Sequence, residues 1–257
     1  MRNVLVTGST GIGGAVAAKL GSRALTIGRG GAIRADLSLL SETTRAADEV
    51  AASVTRLDAI VCCAGVFALR AEPTPEGLER SFVLNYLSRF LLVRRLLPLL
   101  APDGRVVLVA NAGRYRDTLG GDLTEVGRWQ TGRGLRVAGR TQFANDLFAV
   151  ELAARFPDLS VSCVFPGVVA TRVFRAARGG RGVLRAGLHA LQRRVGADPA
   201  EAATTPVELA VGERPASGFY GPKGRMLAVP GRVRTGRRAE LWSASEQLIL
   251  HAASVDR

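Results

Sequence analysis

The feature that most restricts this chain is a glycine-dense turn set where a short apolar strand gives way to a helix. Asn3 to Thr7 (N-V-L-V-T) reads as a strand, Thr7 to Gly14 (T-G-S-T-G-I-G-G) as the turn, and Ile12 to Leu20 as the helix. In that order the three form a cradle for phosphate groups. Gly8 permits the tight turn, Gly11 lets backbone approach a pyrophosphate, and Gly14 lets helix and strand pack closely. The first amides of the helix, Ile12 among them, then offer unpaired N–H groups and a partial positive charge. A glycine-rich turn that holds no ligand would satisfy the same spacing.

Further apolar runs alternate with helical segments. Ala24 to Ile27, Leu57 to Cys63, Arg105 to Val109 and Leu159 to Phe165 read as strands. Thr74 to Leu97 reads as one long amphipathic helix, with Thr74 as its N-cap and Pro75 in the first turn. Arg136 to Arg155 reads as another, with Phe143, Leu147, Val150 and Ala154 on one stripe. Arg29 to Asp36 is too short for a helix, so a tight loop replaces one crossover. Continuous β-branched strands alternating with helices predict an α/β chain: a Rossmann-type, doubly wound parallel sheet in a single domain spanning 1–257.

Composition excludes other classes. The chain has 257 residues and is 47% hydrophobic, too apolar for disorder and long enough for one sizeable core. No apolar run reaches the ~18–20 residues of a membrane span; Arg89 to Leu100 is broken by Arg94, Arg95 and Pro98. The N-terminal run lacks the apolar core of a secretory leader. Three cysteines, two of them adjacent (Cys62 and Cys63), cannot build a disulfide framework. A cytoplasmic protein is the expectation. No Cys, His or carboxylate spacing points to a metal.

The charge is uneven. Only Lys19 and Lys223 among 35 basic residues are lysines, and the formal net charge is +13. Arg172, Arg175, Arg178, Arg181, Arg185, Arg193 and Arg194 lie in a stretch without acids, and Arg214 to Ala239 forms a second. Such blocks suit an anionic partner, and they equally suit a solvated face enriched by a GC-rich coding sequence. No nucleic-acid motif is present, and 5% aromatics offer no obvious stacking platform. After the second strand the acid that would hold a ribose 2′-hydroxyl is missing. Arg29 stands there instead, able to pair with a 2′-phosphate or to face solvent.

Together these segments resemble the short-chain dehydrogenase/reductase superfamily, and its retinol-dehydrogenase-like members most. The resemblance covers nearly the whole chain. Asp36 and Leu37 resemble the pair that meets the adenine. Cys62-Cys63-Ala64-Gly65 stands where the family has Asn-Asn-Ala-Gly. Asn85 matches the helix asparagine that supports a proton-relay water. Pro166-Gly167-Val168-Val169-Ala170-Thr171 resembles the segment flanking the nicotinamide, and Leu241-Trp242 to Leu248 the terminal helix. The glycine loop fits the T-G-x-x-G-x-x-G form of extended members. The resemblance implies NADP as cofactor with NAD as the alternative, and a homo-oligomer through the helices around 76–97 and 136–155. It also implies a substrate lid over 172–197. The expected cofactor residues are Gly8, Thr10, Gly11, Ile12, Arg29, Asp36, Leu37, Cys63, Ala64, Gly65, Gln142, Pro166, Gly167, Val169 and Thr171.

The chemistry departs from the family. Its catalytic serine falls on Asn111. Its Y-x-x-S-K-L-A-N helix aligns with Ala138 to Asn145 (A-G-R-T-Q-F-A-N), so Ala138 stands for the tyrosine and Gln142 for the lysine. Carbonyl reduction needs a proton at the developing alkoxide, and the family's phenol gives it with a pKa lowered by the ammonium. An alanine methyl donates nothing, and a glutamine amide carries no charge. Asn111, Gln142 and Asn85 remain as polar candidates. Tyr115, just beyond Asn111, is either a relocated phenol or a packing residue. Cys62, Cys63 and Cys163 read as inert buried thiols; His189 reads as a base or a solvent-facing helix residue, and His251 as structural or exposed. Two expectations stand. One is an enzyme acting atypically, as a reductase with a relocated acid or through dehydration or cyclisation, on a small hydrophobic, anionic or carrier-bound substrate. The other is a catalytically silent dinucleotide-binding or scaffold protein.

Overall fold

The computed structural model describes residues 3–68, 71–117, 119–120, 122–123, 127, 134–169, 197–213 and 215–255. The chain opens with β1 (Val4–Thr7), α1 (Gly11–Leu20), β2 (Ala24–Gly28), β3 (Ile33–Arg34), α2 (Leu40–Ser53) and β4 (Leu57–Cys62). A helical segment follows: α3 (Arg80–Phe82), a π-helical turn (Val83–Leu87) and α4 (Ser88–Leu96). Then come β5 (Leu100–Val109), α5 (Gly134–Arg155), β6 (Ser160–Val164), α6 (Pro199–Ala202), α7 (Thr204–Val211), β7 (Gly218–Tyr220), β8 (Met226–Leu227) and α8 (Arg237–Val255). One eight-stranded sheet runs β3-β2-β1-β4-β5-β6-β7-β8. Every pairing is parallel except the last, where β8 closes the edge antiparallel to β7. The doubly wound parallel sheet expected from the sequence is present.

Strand alternation builds a core on each face, because successive side chains point to opposite sides. Leu5, Ile60, Val106 and Leu108 pack on one side with α4, α5 and α8. Val4, Val6, Ala59, Val61 and Val107 pack on the other with Val16 and Leu20 of α1 and Leu209 and Ala210 of α7. Phe90, Phe148 and Trp242 join α4, α5 and α8 with ring centroids 5.1–6.0 Å apart.

Four expectations need correction. The segment after Arg29 is not only loop: Ile33–Arg34 adds a parallel edge strand, and α2, which the sequence reading left out, supplies the crossover to β4. The long helix starts at Arg80 rather than Thr74. Gly77 takes φ +75° in a turn closed by Thr74 N–H to Leu78 O at 2.7 Å, which a helix cannot include. The cap is Glu79, whose carboxylate accepts from the Ser81 and Phe82 amides. On α5 the buried stripe runs Phe143, Leu147, Phe148, Leu152, and Ala154 is exposed.

Glu79 is 1% exposed, so losing its oxygens leaves buried amides without partners. Glu79→Ala is expected to cost about 1–2 kcal/mol, read as a lower urea midpoint. An unchanged midpoint would show that the cap carries no stability.

Candidate active site

The glycine turn lies at the C-terminal edge of β1, where open α/β sheets bind ligands. Gly8 has φ +92° and Gly11 φ +57°, both in the left-handed region that favours glycine. The closest approach falls one residue earlier than expected. A Cβ on Gly13 would lie 2.2 Å from the Gly8 carbonyl oxygen, whereas one on Gly14 would lie 3.0 Å from the Ser9 oxygen. Thr10 precedes α1 in extended backbone and makes no side-chain cap to the amides at the start of the helix. Arg29 is exposed at the end of β2, and Gly28 and Gly30 beside it pack on Ser9. Leu37 is buried. Burial works against the Asp36 carboxylate, but hydrogen bonds from the Ser38 hydroxyl (2.7 Å) and amide (3.0 Å) outweigh it. With the charges of Arg80 and Arg29 they hold its pKa below the usual carboxylate value.

The end of β4 is fixed from two sides. The buried Thr7 hydroxyl oxygen accepts from the Cys63 and Ala64 amides, each at 3.1 Å. Gly65 sits where a Cβ would meet Asn85 Oδ1 at 3.3 Å. Asn85 accepts from the Val66 amide at 2.8 Å and donates to the Val66 carbonyl and the Thr141 hydroxyl. Its own carbonyl accepts from Asn145 Nδ2 at 2.9 Å. Asn85 therefore closes a structural network that ties the end of β4 to α5.

Arg89, one turn after Asn85, is 3% exposed and has no carboxylate in salt-bridge range among the described residues. Its Nη1 donates to Val109 O at 2.9 Å and Asn145 Oδ1 at 3.1 Å, and its Nη2 to Ala64 O at 2.8 Å. One guanidinium thus ties the ends of β4 and β5 to α5. Burial lowers its pKa and raises those of the surrounding thiols, Cys62 to about 11 and Cys63 to about 12. Those thiols stay protonated and unreactive at neutral pH.

On α5, Gln142 follows Thr141, is 7% exposed, and its Oε1 is buried with no hydrogen-bond partner among the described residues. Of Ala138 only its place in α5 is described. Asn111 follows β5, partly exposed, in a turn where Ala112 has φ +40° and Gly113 φ +79°. A left-handed alanine costs roughly 1–2 kcal/mol, strain of a kind that collects at functional sites. Tyr115 is half-buried, and burial raises the pKa of its phenol. Arg114 stacks on Phe165, 3.8 Å from the ring centroid. Pro166 and Gly167 (φ +88°) leave β6, and Val169 pairs with Ala197. Thr171 and the lid segment from 172 to 196 lie outside the described residues.

The sequence reading missed Thr7, Ser9, Arg89, Asn145 and Asp146 as site-building residues. The signal for two of them was a spacing of four: Asn85 with Arg89, and Thr141 with Asn145, share helix faces.

These residues fit a dinucleotide. The start of α1 carries no side-chain cap, and the buried Gln142 Oε1 has no donor among the described residues.

No family model matches the chain. It is 30% identical to the provisionally named daunorubicin C-13 ketoreductase DnrU of Streptomyces sp. (strain C5), over 95% of this chain and 91% of that protein. It is 32% identical to human retinol dehydrogenase 14 over 54% of this chain and 42% of that protein. Among solved structures, the 3-alpha-hydroxysteroid dehydrogenase of Pseudomonas sp. B-0831 complexed with NADH has a TM-score of 0.68 at 22% identity. That match covers 86% of this chain and 94% of the other. A short-chain dehydrogenase/reductase from Serratia marcescens BCRC 10948 has a TM-score of 0.63 at 21% identity, covering 87% and 96%. The fold is that of these short-chain dehydrogenases/reductases, and the relative that matches nearly the whole chain is a ketoreductase by name. The chain belongs to the short-chain dehydrogenase/reductase family. No helix among its described residues is long and apolar enough to cross a membrane.

Arg89→Met is expected to strand three buried acceptors, Ala64 O, Val109 O and Asn145 Oδ1. That costs about 3 kcal/mol or more in urea unfolding, and Arg89→Lys recovers only part of it, lacking the planar fork. Equal stability of Arg89→Met and wild type would remove the guanidinium from its structural role.

Proposed function

We propose that the chain binds NADP(H) and reduces the carbonyl of a small hydrophobic or anionic molecule, without the phenol–ammonium pair of the family. The observation that carries this reading is Gln142 Oε1. An unsatisfied buried acceptor costs about 1–3 kcal/mol, and a ribose hydroxyl donating to it would offset that cost. Gly8, Thr10, Gly11 and Ile12 would cradle the pyrophosphate, Arg29 the 2′-phosphate, and Asp36 and Leu37 the adenine. Cys63 to Gly65, Pro166, Gly167, Val169 and Thr171 would border the nicotinamide half. When bound, the nicotinamide supplies a hydride.

The chain's own residues would do the rest. The Asn111 amide N–H donates to the substrate oxygen and polarises it. Tyr115 has no described hydroxyl partner, and its raised pKa keeps its proton through the neutral range. It can therefore hold a proton for the product alkoxide, but no cation lowers its pKa, which favours slow transfer. The Val169–Ala197 pairing brings together the two ends of the segment read as a lid over 172–197. Lids set substrate choice and exclude water, and the arginines of this one suit an anionic or carrier-bound substrate. The ketoreductase relative supports a ketone as the first substrate class to try. The joint loss of the three family side chains supports two weaker readings: a non-redox dehydration or cyclisation, and a silent dinucleotide-binding scaffold.

Titration with NADPH, followed by nicotinamide fluorescence, is expected to saturate in the micromolar range, with NADH weaker. Failure of both at millimolar concentration would remove the cofactor. The double variant Ala138→Tyr/Gln142→Lys is expected to raise ketone turnover roughly 10²-fold or more. An unchanged rate would sink the assignment of those two positions.

A further inference from the structure

The strained turn after β5 is gripped from two sides by groups outside the family pattern. From within, Asp146 Oδ2 accepts the Gly113 N–H at 3.0 Å. Its Oδ1 takes the Cys163 thiol, with the heavy atoms 3.5 Å apart. From outside, Arg232 Nε donates to the Tyr115 carbonyl at 2.9 Å, and its Nη2 to the Gly113 carbonyl. Gly113 is thus held at both its N–H and its C=O. The fit around it is close, since a Cβ there would lie 2.9 Å from Pro230 Cγ and Cδ. Asp146 is fully buried and stands one helical turn after Gln142, on the same face of α5.

We propose that Asp146 is a positioning residue which, with Arg232, sets the turn that presents Asn111 and Tyr115 to the substrate. The proposal rests on the reading of Asn111 as a substrate-facing amide; the clamp itself does not.

The clamp is sensitive to pH. Burial pushes the Asp146 pKa up to about 7, against hydrogen bonds from Gly113 and Cys163 and the charge of Arg232. The groups facing it are Cys163 from β6 and Arg232 from the turn after β8, with Arg89 of α4 acting on Cys163 as well. As pH falls through 7 the carboxylate gains a proton, and its charge-assisted bond to Gly113 becomes a weaker neutral one. As pH rises the grip tightens.

The Gly113 amide reports this directly. In 15N–1H correlation spectra of the wild type its shift should titrate with a midpoint near 7, and in Asp146→Asn it should stay flat. A wild-type amide that does not move between pH 5.5 and 8.5 overturns the clamp whatever the enzyme binds. With NADPH and a reducible ketone, Asp146→Asn should lower kcat roughly tenfold and flatten its acid limb. NADPH affinity should stay within about twofold, because the cradle is untouched. An unchanged kcat–pH profile would overturn the positioning role. If Asp146→Asn does not fold, Arg232→Met tests the outer grip: it should shift the Gly113 resonance and lower kcat, and no change in either overturns the proposal. Absence of all turnover with a titrating Gly113 would count against the reductase reading and leave the clamp standing.

Discussion

The C-terminal edge of the sheet is organised around a buried cation that has no counter-ion in range among the described residues. Arg89 gives its donors to two strand ends and one side-chain amide, all neutral acceptors. A buried charge is expensive unless hydrogen bonds replace its water, so the guanidinium requires Ala64, Val109 and Asn145 to stay where they are. Asn145 in turn holds the Asn85 and Thr141 carbonyls. Through Asn85 the order reaches Val66, and through the Thr7 hydroxyl it meets the glycine turn. The strand tips that border the candidate cofactor site are thereby one connected body.

A second arrangement of the same kind starts at Asp146, the next residue of α5 after Asn145. Where Arg89 fixes the floor, Asp146 and Arg232 fix the turn above it. One is a permanent charge and the other a group that can change its own. In the proposed clamp the titratable group, Asp146, is set behind the backbone of the turn. It acts on the shape of the turn rather than on a reacting atom.

The sheet was legible because both its faces are covered: V-L-V, I-V-C-C and V-V-L-V can be little else than buried parallel strands. The glycine turn was legible because its spacing follows from steric demand. Thr74 misled because a threonine before proline and glutamate is a good local cap, and only the Gly77 turn and the Glu79 carboxylate, tied to tertiary contacts, decide against it. Arg89 and Asp146 were illegible for a related reason. Arg89 sits in a helix already carrying Arg94 and Arg95, and nothing local separates the buried arginine from a half-buried and an exposed one. Asp146 lies between Asn145 and Leu147 with no partner nearby in sequence; its partners arrive from β5, β6 and the turn after β8.

The pairing of Val169 with Ala197 also bears on how such a chain can diverge. The backbone that leaves β6 and the backbone that enters α6 meet across a bridge outside the named strands. Insertions, deletions and wholesale exchange between them are therefore insulated from strand register. Novelty in what the protein recognises can accumulate there while the scaffold beneath goes on folding as before.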